Sequence, residues 1–117
     1  MNRQDLGEAG EQLARTYLAR RGLKVIEANH RSRLGEIDLV CRDADTIVFI
    51  EVKTRASGRF GAPAAAVNLR KQARLRRLAE EYLIANDLES APVRFDVLSI
   101  ILAPGAAPEL DYITGAF

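Results

Sequence analysis

Three carboxylates and one amine lie within two apolar stretches of the sequence, residues 35–42 and 46–54. They are Glu36, Asp38, Glu51 and Lys53. Carboxylate oxygens are the ligands that Mg²⁺ prefers, and a nearby ammonium group can orient water or stabilise charge that develops on a phosphoryl group. The pattern therefore indicates a metal-assisted hydrolytic site, provided that the fold brings these side chains together.

A tight hairpin would place these groups side by side, because the two stretches are separated too briefly for any other simple connection. A two-residue loop at positions 44–45 sets a register in which Asp38 lies opposite Glu51 and Glu36 lies opposite Lys53. Ala-Asp is not a favoured two-residue turn, so a longer loop with a bulge is the alternative and would shift these partners. In either case Glu51 and Lys53 share one face of their strand.

The predicted register brings two carboxylates within roughly 5 Å on one face of the sheet, which is destabilising unless a cation intervenes. Mg²⁺, or Mn²⁺, suits this position because it needs few protein carboxylates and keeps places for water and phosphate oxygens. The alternative is a solvated face on which Glu36 and Lys53 form an ordinary ion pair. The opposite face would be apolar and would carry Ile37, Leu39, Ile50 and Val52.

The rest of the sequence predicts the elements that must position this hairpin. Residues 4–21 and 69–85 have apolar residues at helical spacing, and Asn68 is a suitable N-cap for the second helix. Its predicted buried stripe contains Leu69, Leu75, Leu78, Ala79, Tyr82 and Leu83. Five strands are predicted, at 23–29, 35–42, 46–54, 93–102 and 109–117. The order αβββαββ predicts one α+β domain over residues 1–117, in α/β/α layers, with helices flanking a mixed central sheet.

Composition limits the class of protein. The chain has 117 residues, of which 48% are hydrophobic and 28% charged, with a net charge of +1, as expected for one globular domain. Cys41 is alone, which excludes a disulfide within the chain, and we expect it to be a core side chain and not a nucleophile. The sequence contains no long apolar run and starts with a polar segment, so we expect a cytoplasmic protein without a membrane partner.

Charge is distributed unevenly along the chain. Residues 53–77 contain eight Lys or Arg residues and no Asp or Glu, whereas residues 78–117 contain one Arg and seven acidic residues. A basic segment of this kind is a candidate phosphate-binding surface, although a solvated helix face is the simpler interpretation. The candidate nucleic-acid contacts are Arg55, Arg59, Arg70, Lys71, Arg74 and Arg77. The glycine-containing segment 56–63 is predicted to be a mobile loop that could close over the bound backbone.

The spacing of Asp38 and the tripeptide Glu51-Val52-Lys53 resembles the motif of the restriction-endonuclease-like, or PD-(D/E)XK, nuclease superfamily. Four longer segments together resemble the YraN-type family of small, mostly uncharacterised bacterial proteins, and they cover nearly the whole chain. They are GEAGEQLA, NHRSRLGEIDLV, FIEVKTR and RKQARLRRLAEEYL. That family is similar in motif to archaeal Holliday-junction resolvases, and the resemblance implies a restriction-endonuclease-like fold.

The resemblance also implies individual roles. Asp38 and Glu51 would be metal ligands, Lys53 the catalytic lysine, and Glu11 a further acidic residue at the same metal site. Gln72 would be the polar residue that accompanies such a site, and Glu36 would have a supporting role. Two of these residues have simpler interpretations, since Glu11 lies near the positive end of the first helix and Gln72 fits an exposed helix surface.

The implied activity is Mg²⁺-dependent endonuclease cleavage of DNA, with branched or structured DNA as the substrate and a homodimer as the form that resolvase-like enzymes adopt. The alternative is a non-catalytic nucleic-acid-binding or protein-interaction module on the same fold. The sequence favours an enzyme, because a degenerate member would usually have lost Asp38, Glu51 or Lys53. One further polar pair, Arg94 and Asp96, is predicted to lie on a strand surface.

Overall fold

The computed structural model describes residues 2–57 and 67–117, which form two helices and five strands. In chain order these are α1 (Arg3–Arg20), β1 (Lys24–Ser32), β2 (Gly35–Asp43), β3 (Thr46–Arg55), α2 (Leu69–Ala85), β4 (Val93–Ile101) and β5 (Glu109–Ile113). The predicted α+β class and the order αβββαββ are confirmed. Arg59 and most of the predicted loop 56–63 lie outside the described residues.

The strands form one sheet in the order β1-β2-β3-β4-β5. Strands β3 and β4 are parallel and every other neighbouring pair is antiparallel, so the sheet is mixed, as predicted. Parallel neighbours need a long crossover, and α2 lies within the connection from β3 to β4. None of the described helices is long and apolar enough to cross a membrane.

Each face of the sheet packs against one helix. Ala14 and Leu18 of α1 are buried in a cluster that includes Leu39 and Ile50. On the other face, buried side chains of α2 join a second cluster with β2, β3 and β4; they are Leu75, Leu78, Ala79 and Tyr82. The central strands are apolar on both faces because both faces are covered. Cys41 is fully buried in the α1 cluster, which confirms its prediction as a core side chain.

The helix boundaries follow local signals. Asn2 caps α1 by accepting the backbone N–H of Asp5 at 2.8 Å, and Asn68 caps α2 by accepting that of Lys71 at 2.9 Å. The prediction that Leu69 belongs to the buried stripe of α2 is wrong, since this residue is 82% exposed. At 3.6 residues per turn it lies about 240° around the helix from Leu75 and therefore points away from the sheet.

Strand β4 places a charged group inside the protein. Arg94 and Asp96 are paired as predicted, with 3.0 Å between Nε and Oδ1, but Asp96 is fully buried and does not lie on the surface. Tyr112 and the backbone N–H of Gly115 also donate to its carboxylate. The C-terminal segment therefore supplies donors that a buried carboxylate requires, and strand alternation alone did not indicate them.

Candidate active site

The β2–β3 hairpin has the predicted register over most of its length. Its two-residue loop spans positions 44–45, and pairing runs from Asp43–Thr46 to Leu39–Ile50. Ala44 has φ 52°, the left-handed conformation that such a loop requires, although alanine is not a favoured residue there. In the described pairing, the ladder ends at Leu39–Ile50, immediately before the predicted catalytic carboxylates.

Asp38 occupies the point at which β2 and β3 separate. Its Oδ2 accepts the backbone N–H of Val52 at 2.9 Å, so a side chain takes the place of a main-chain acceptor of the neighbouring strand. The prediction that Ile37 and Leu39 share one face is wrong. Ile37 packs in the α2 cluster and Leu39 in the α1 cluster, so the strand does not keep a strict alternation across Asp38. The carboxylate is consequently held by the irregular end of the hairpin.

The predicted pairing of Glu36 with Lys53 is also wrong. Glu36 lies opposite Arg31 of β1, with 3.7 Å between Oε2 and Nε of the arginine. Lys53 instead lies beside Ser99 in the parallel ladder with β4. The cause is the separation of the two strands. The register that the loop sets applies only as far as the last paired residues, so it does not predict which side chains are neighbours beyond them.

Glu51 is buried on the α2 side of the sheet and contacts two ammonium groups. Its Oε1 lies 2.5 Å from Nζ of Lys71 on α2 and 3.8 Å from Nζ of Lys53 on its own strand. Its side chain is only 8% exposed, so these contacts replace the solvation that it loses. The cation that the sequence required near the carboxylates is thus partly supplied by the protein itself.

Electrostatics distinguishes the groups of the site. Burial, with the nearby charge of Glu51, raises the pKa of Asp38 to about 7, against the stabilising hydrogen bond from Val52. Burial and the neighbouring Lys71 lower the pKa of Lys53. Burial is the largest single influence on Lys71 and opposes its charged form, but hydrogen bonding to Glu51 and Lys53 and the charges of Glu51 and Asp38 together outweigh burial and raise the pKa of Lys71. Lys71 is therefore the persistent cation, and Lys53 is the lysine that more readily gives up a proton.

An open cleft of about 460 Å³ lies between α1 and the end of the hairpin. Asp38 and Lys53 line it from the sheet, and Glu11 lines it from α1. Oε1 of Glu11 accepts hydrogen bonds from Asn29 at 3.2 Å and from Arg15 at 3.4 Å. The expectation that Glu11 faces the same site as Asp38 is consistent with this placement, while its role toward a metal stays a prediction.

The donor set fits a metal that takes few protein ligands. Within the described residues, no group of three or more His, Cys, Asp or Glu side chains is arranged to hold an ion. Asp38 and Glu51 nevertheless interact strongly enough for one charge to raise the pKa of the other. A divalent cation between two partly desolvated carboxylates would relieve that repulsion, and Mg²⁺ accepts a site with one or two carboxylates completed by water.

Residues 10–100 match the family described as "Uncharacterised protein family UPF0102". The chain belongs to this family. It is 43% identical over 116 residues to a UPF0102 protein of Nocardia farcinica, covering 99% of this chain and 91% of the relative. It is 45% identical over 117 residues to one of Geobacter metallireducens, covering 100% and 95%, and 48% identical over 99 residues to one of Alkaliphilus oremlandii, covering 83% and 85%.

Two predicted residues on helix α2 of this UPF0102 protein, Gln72 and Lys71, have different partners. Gln72 donates its amide to the carbonyl of Val67 at 3.0 Å, in the segment preceding the helix, and forms no hydrogen bond with Asp38 among the described residues. Lys71, predicted only as a phosphate contact, binds Glu51. A basic residue in the first turn of a helix is unfavourable beside the positive helix end unless a carboxylate lies nearby, but this signal applies equally to Arg70 and does not distinguish Lys71.

The remaining predicted nucleic-acid contacts lie in two places. Arg55 ends β3, two residues beyond Lys53. Arg70, Arg74 and Arg77 are exposed on α2 and line a second cavity, to which the β1–β2 turn contributes. The basic segment of the sequence is therefore divided between the carboxylate site and a surface beside it.

Proposed function

We propose that the protein is a metal-dependent endonuclease that hydrolyses phosphodiester bonds in DNA. The observation that carries the proposal is the convergence of Asp38, Glu51 and Lys53 at the point where β2 and β3 separate. Two carboxylates can hold a metal ion that polarises a phosphate ester, and a neighbouring lysine can orient water or stabilise developing negative charge. The motif resemblance to restriction-endonuclease-like nucleases supports the same assignment.

In this proposal Asp38 and Glu51 hold Mg²⁺ or Mn²⁺, and Glu11 is an additional acidic group in the cleft that Asp38 and Lys53 line. The bound ion supplies Lewis-acid polarisation of the scissile phosphate. Lys53 orients the attacking water and stabilises negative charge on the phosphoryl oxygens, since its ammonium lies beside the carboxylate of Glu51. Lys71 holds Glu51 in place and keeps part of its charge neutralised.

The substrate class follows from the shape and charge around the site. The cleft beside α1 is open, and α2 on the other face of the sheet carries a row of exposed arginines. An open cleft and a long basic surface suit an extended polyanion better than a small phosphate ester. Branched or structured DNA is the substrate that the similarity to resolvases suggests, and a homodimer would present two such sites to paired strands.

A second candidate is a non-catalytic nucleic-acid-binding or protein-interaction module. The ion pair between Lys71 and Glu51 favours it, because this pair neutralises one predicted ligand without any metal. The two candidates differ in turnover, in metal dependence and in the consequence of removing Lys53.

The deciding experiment is cleavage of labelled branched, flapped, single-stranded and duplex DNA in Mg²⁺ or Mn²⁺. Wild type is compared with Asp38→Asn and Lys53→Ala, and with Arg20→Ala as a control that removes an exposed arginine at the end of α1. We expect metal-dependent cleavage by wild type and the control, and loss in both site variants. Binding without cleavage by wild type, with equal binding by the variants, would favour the non-catalytic module.

A further inference from the structure

Four arginines from two separate elements line one cavity beside α2. Arg33 comes from the β1–β2 turn, and Arg70, Arg74 and Arg77 come from the helix. The cavity has a volume of about 590 Å³, and Leu34 and Ala73 complete its lining. All four arginines are exposed, and none of them forms an ion pair with a carboxylate of the described residues. Four like charges held together without a counter-ion indicate an anionic ligand.

The backbone holds the two elements close to each other. Gly35, which follows the turn, has φ +136°, and a Cβ added there would lie 3.4 Å from Cδ of Arg74 and 3.6 Å from Leu78. The turn therefore approaches α2 closely at this point, in a conformation that side chains rarely adopt. This approach places Arg33, which was not among the predicted contacts, on the same cavity as the helix arginines.

The spacing of the helix arginines suits a nucleic-acid strand. Positions 70, 74 and 77 repeat at four and three residues and share one side of α2, over about 10 Å of helix at 1.5 Å per residue. One DNA strand rises about 3.4 Å per phosphate, so the row spans about three nucleotides. Arginine also presents a planar fork that contacts phosphate oxygens in pairs.

We propose that Arg33, Arg70, Arg74 and Arg77 form a phosphate clamp that holds the sugar–phosphate backbone of DNA. The inference rests on the proposed function for the choice of DNA as the ligand. Because Lys71 follows Arg70 directly and contacts Glu51, one end of the clamp adjoins the carboxylate site. Among the described residues, the cavity lining includes no aromatic side chain for stacking on bases, and its arginines suit phosphate oxygens, so the clamp contacts backbone and not base edges.

Fluorescence anisotropy in EDTA, with a labelled 20-base-pair duplex and a 20-nucleotide single strand at several salt concentrations, tests the clamp without cleavage. Arg33→Ala and Arg74→Ala should each raise Kd about five- to tenfold at 0.1 M salt and reduce the salt-dependence slope by about one. Arg33→Lys, which keeps the charge and loses the fork, should give a smaller increase in Kd. Arg20→Ala, with the same change in charge at an exposed site outside the cavity, should change Kd by less than about twofold.

The clamp is overturned if Arg33→Ala and Arg33→Lys bind as Arg20→Ala does, with Tm values equal to that of wild type. A different result would show that the proposed nuclease function is wrong while the clamp is right. Wild type would then cut no DNA in Mg²⁺ or Mn²⁺, while the clamp variants would still bind DNA more weakly and with a smaller salt-dependence slope.

Discussion

Lys71 on α2 and Glu51 on β3 form an ion pair with 2.5 Å between Nζ and Oε1, across the interface between helix and sheet. The contact anchors the first turn of α2 to the strand that carries Lys53. It also engages the carboxylate of Glu51, which is a metal ligand in the proposed mechanism. The pair therefore links helix packing, charge balance and the proposed chemistry in one place.

Removing Lys71 should destabilise the metal-free protein. Lys71→Met leaves Glu51 buried with the more distant Lys53 as its remaining cationic partner among the described residues, and we expect the free energy of unfolding to fall by about 1–3 kcal/mol. Urea denaturation in EDTA measures this change. The double variant Glu51→Gln/Lys71→Met should lose less than the sum of the two single variants, and exact additivity would contradict the coupling.

Asp38 should make stability depend on pH. Burial and Glu51 raise its pKa from 3.8 to about 7, so the folded chain keeps this proton after the unfolded chain has lost it. The contribution of Asp38 to the free energy of unfolding therefore falls as pH rises from about 4 to about 7, and it is constant at higher pH. Asp38→Asn removes the titration and keeps a carbonyl acceptor for the N–H of Val52.

We therefore expect metal-free Asp38→Asn to gain stability relative to wild type between pH 4 and pH 7, and to be the more stable protein at pH 8. Denaturation in urea at intervals across this range gives the difference directly. A difference that does not change with pH would show that Asp38 has an ordinary pKa in the folded chain.

Binding of Mg²⁺ should offset the loss of folding stability that the ionised carboxylate of Asp38 causes at pH 8. A ligand that binds only the folded chain stabilises it by about 1.4 kcal/mol at a concentration ten times its Kd. We expect Mg²⁺ to raise the Tm of wild type and to have little effect on Asp38→Asn or Glu51→Gln. Glu89→Gln is the matched control, because Glu89 is an exposed carboxylate between α2 and β4 and should leave the response unchanged. An equal rise in Tm for all four proteins would place the ion elsewhere.

Gly10 should be required for the packing of α1. A Cβ at Gly10 would lie 2.9 Å from the Cβ of Thr54 on β3, whereas one at Gly7 would meet no atom of the described residues within 4 Å. Gly10→Ala should lower the free energy of unfolding by about 1–3 kcal/mol through overpacking. Gly7→Ala should raise it by up to about 1 kcal/mol through helix propensity, and chemical denaturation of both compares the two effects. Equal effects would exclude a role for the close approach.

Asp96 should be among the most sensitive polar positions of the sheet. It is fully buried and accepts from Arg94, Tyr112 and the backbone of Gly115. Asp96→Ala leaves these donors without their acceptor, and we expect a loss of about 3–5 kcal/mol. Asp43→Ala removes the more exposed partner of Arg94 and should cost less than about 1 kcal/mol. Thermal unfolding distinguishes them, and equal losses would contradict the buried network.

The elements of the fold were largely predictable because they depend on local properties. Helix α2 spans the predicted residues 69–85 and has the predicted cap at Asn68, since spacing of apolar residues and capping are short-range signals. The register of the β2–β3 hairpin follows from the length of its loop. Strand β1 begins one residue later than predicted, at Lys24, and continues three residues further, to Ser32.

The sequence by itself thus determined the order of elements, the hairpin and the three residues that carry the proposed chemistry. Only the tertiary structure decided that the strands separate at Asp38, that Lys71 reaches Glu51 and that Arg33 joins the arginines of α2. These relationships join residues of different elements, so they arise from how α2 and the hairpin pack on each other. Periodicity describes which face of an element is buried, but it contains no information on which residue of another element lies against it.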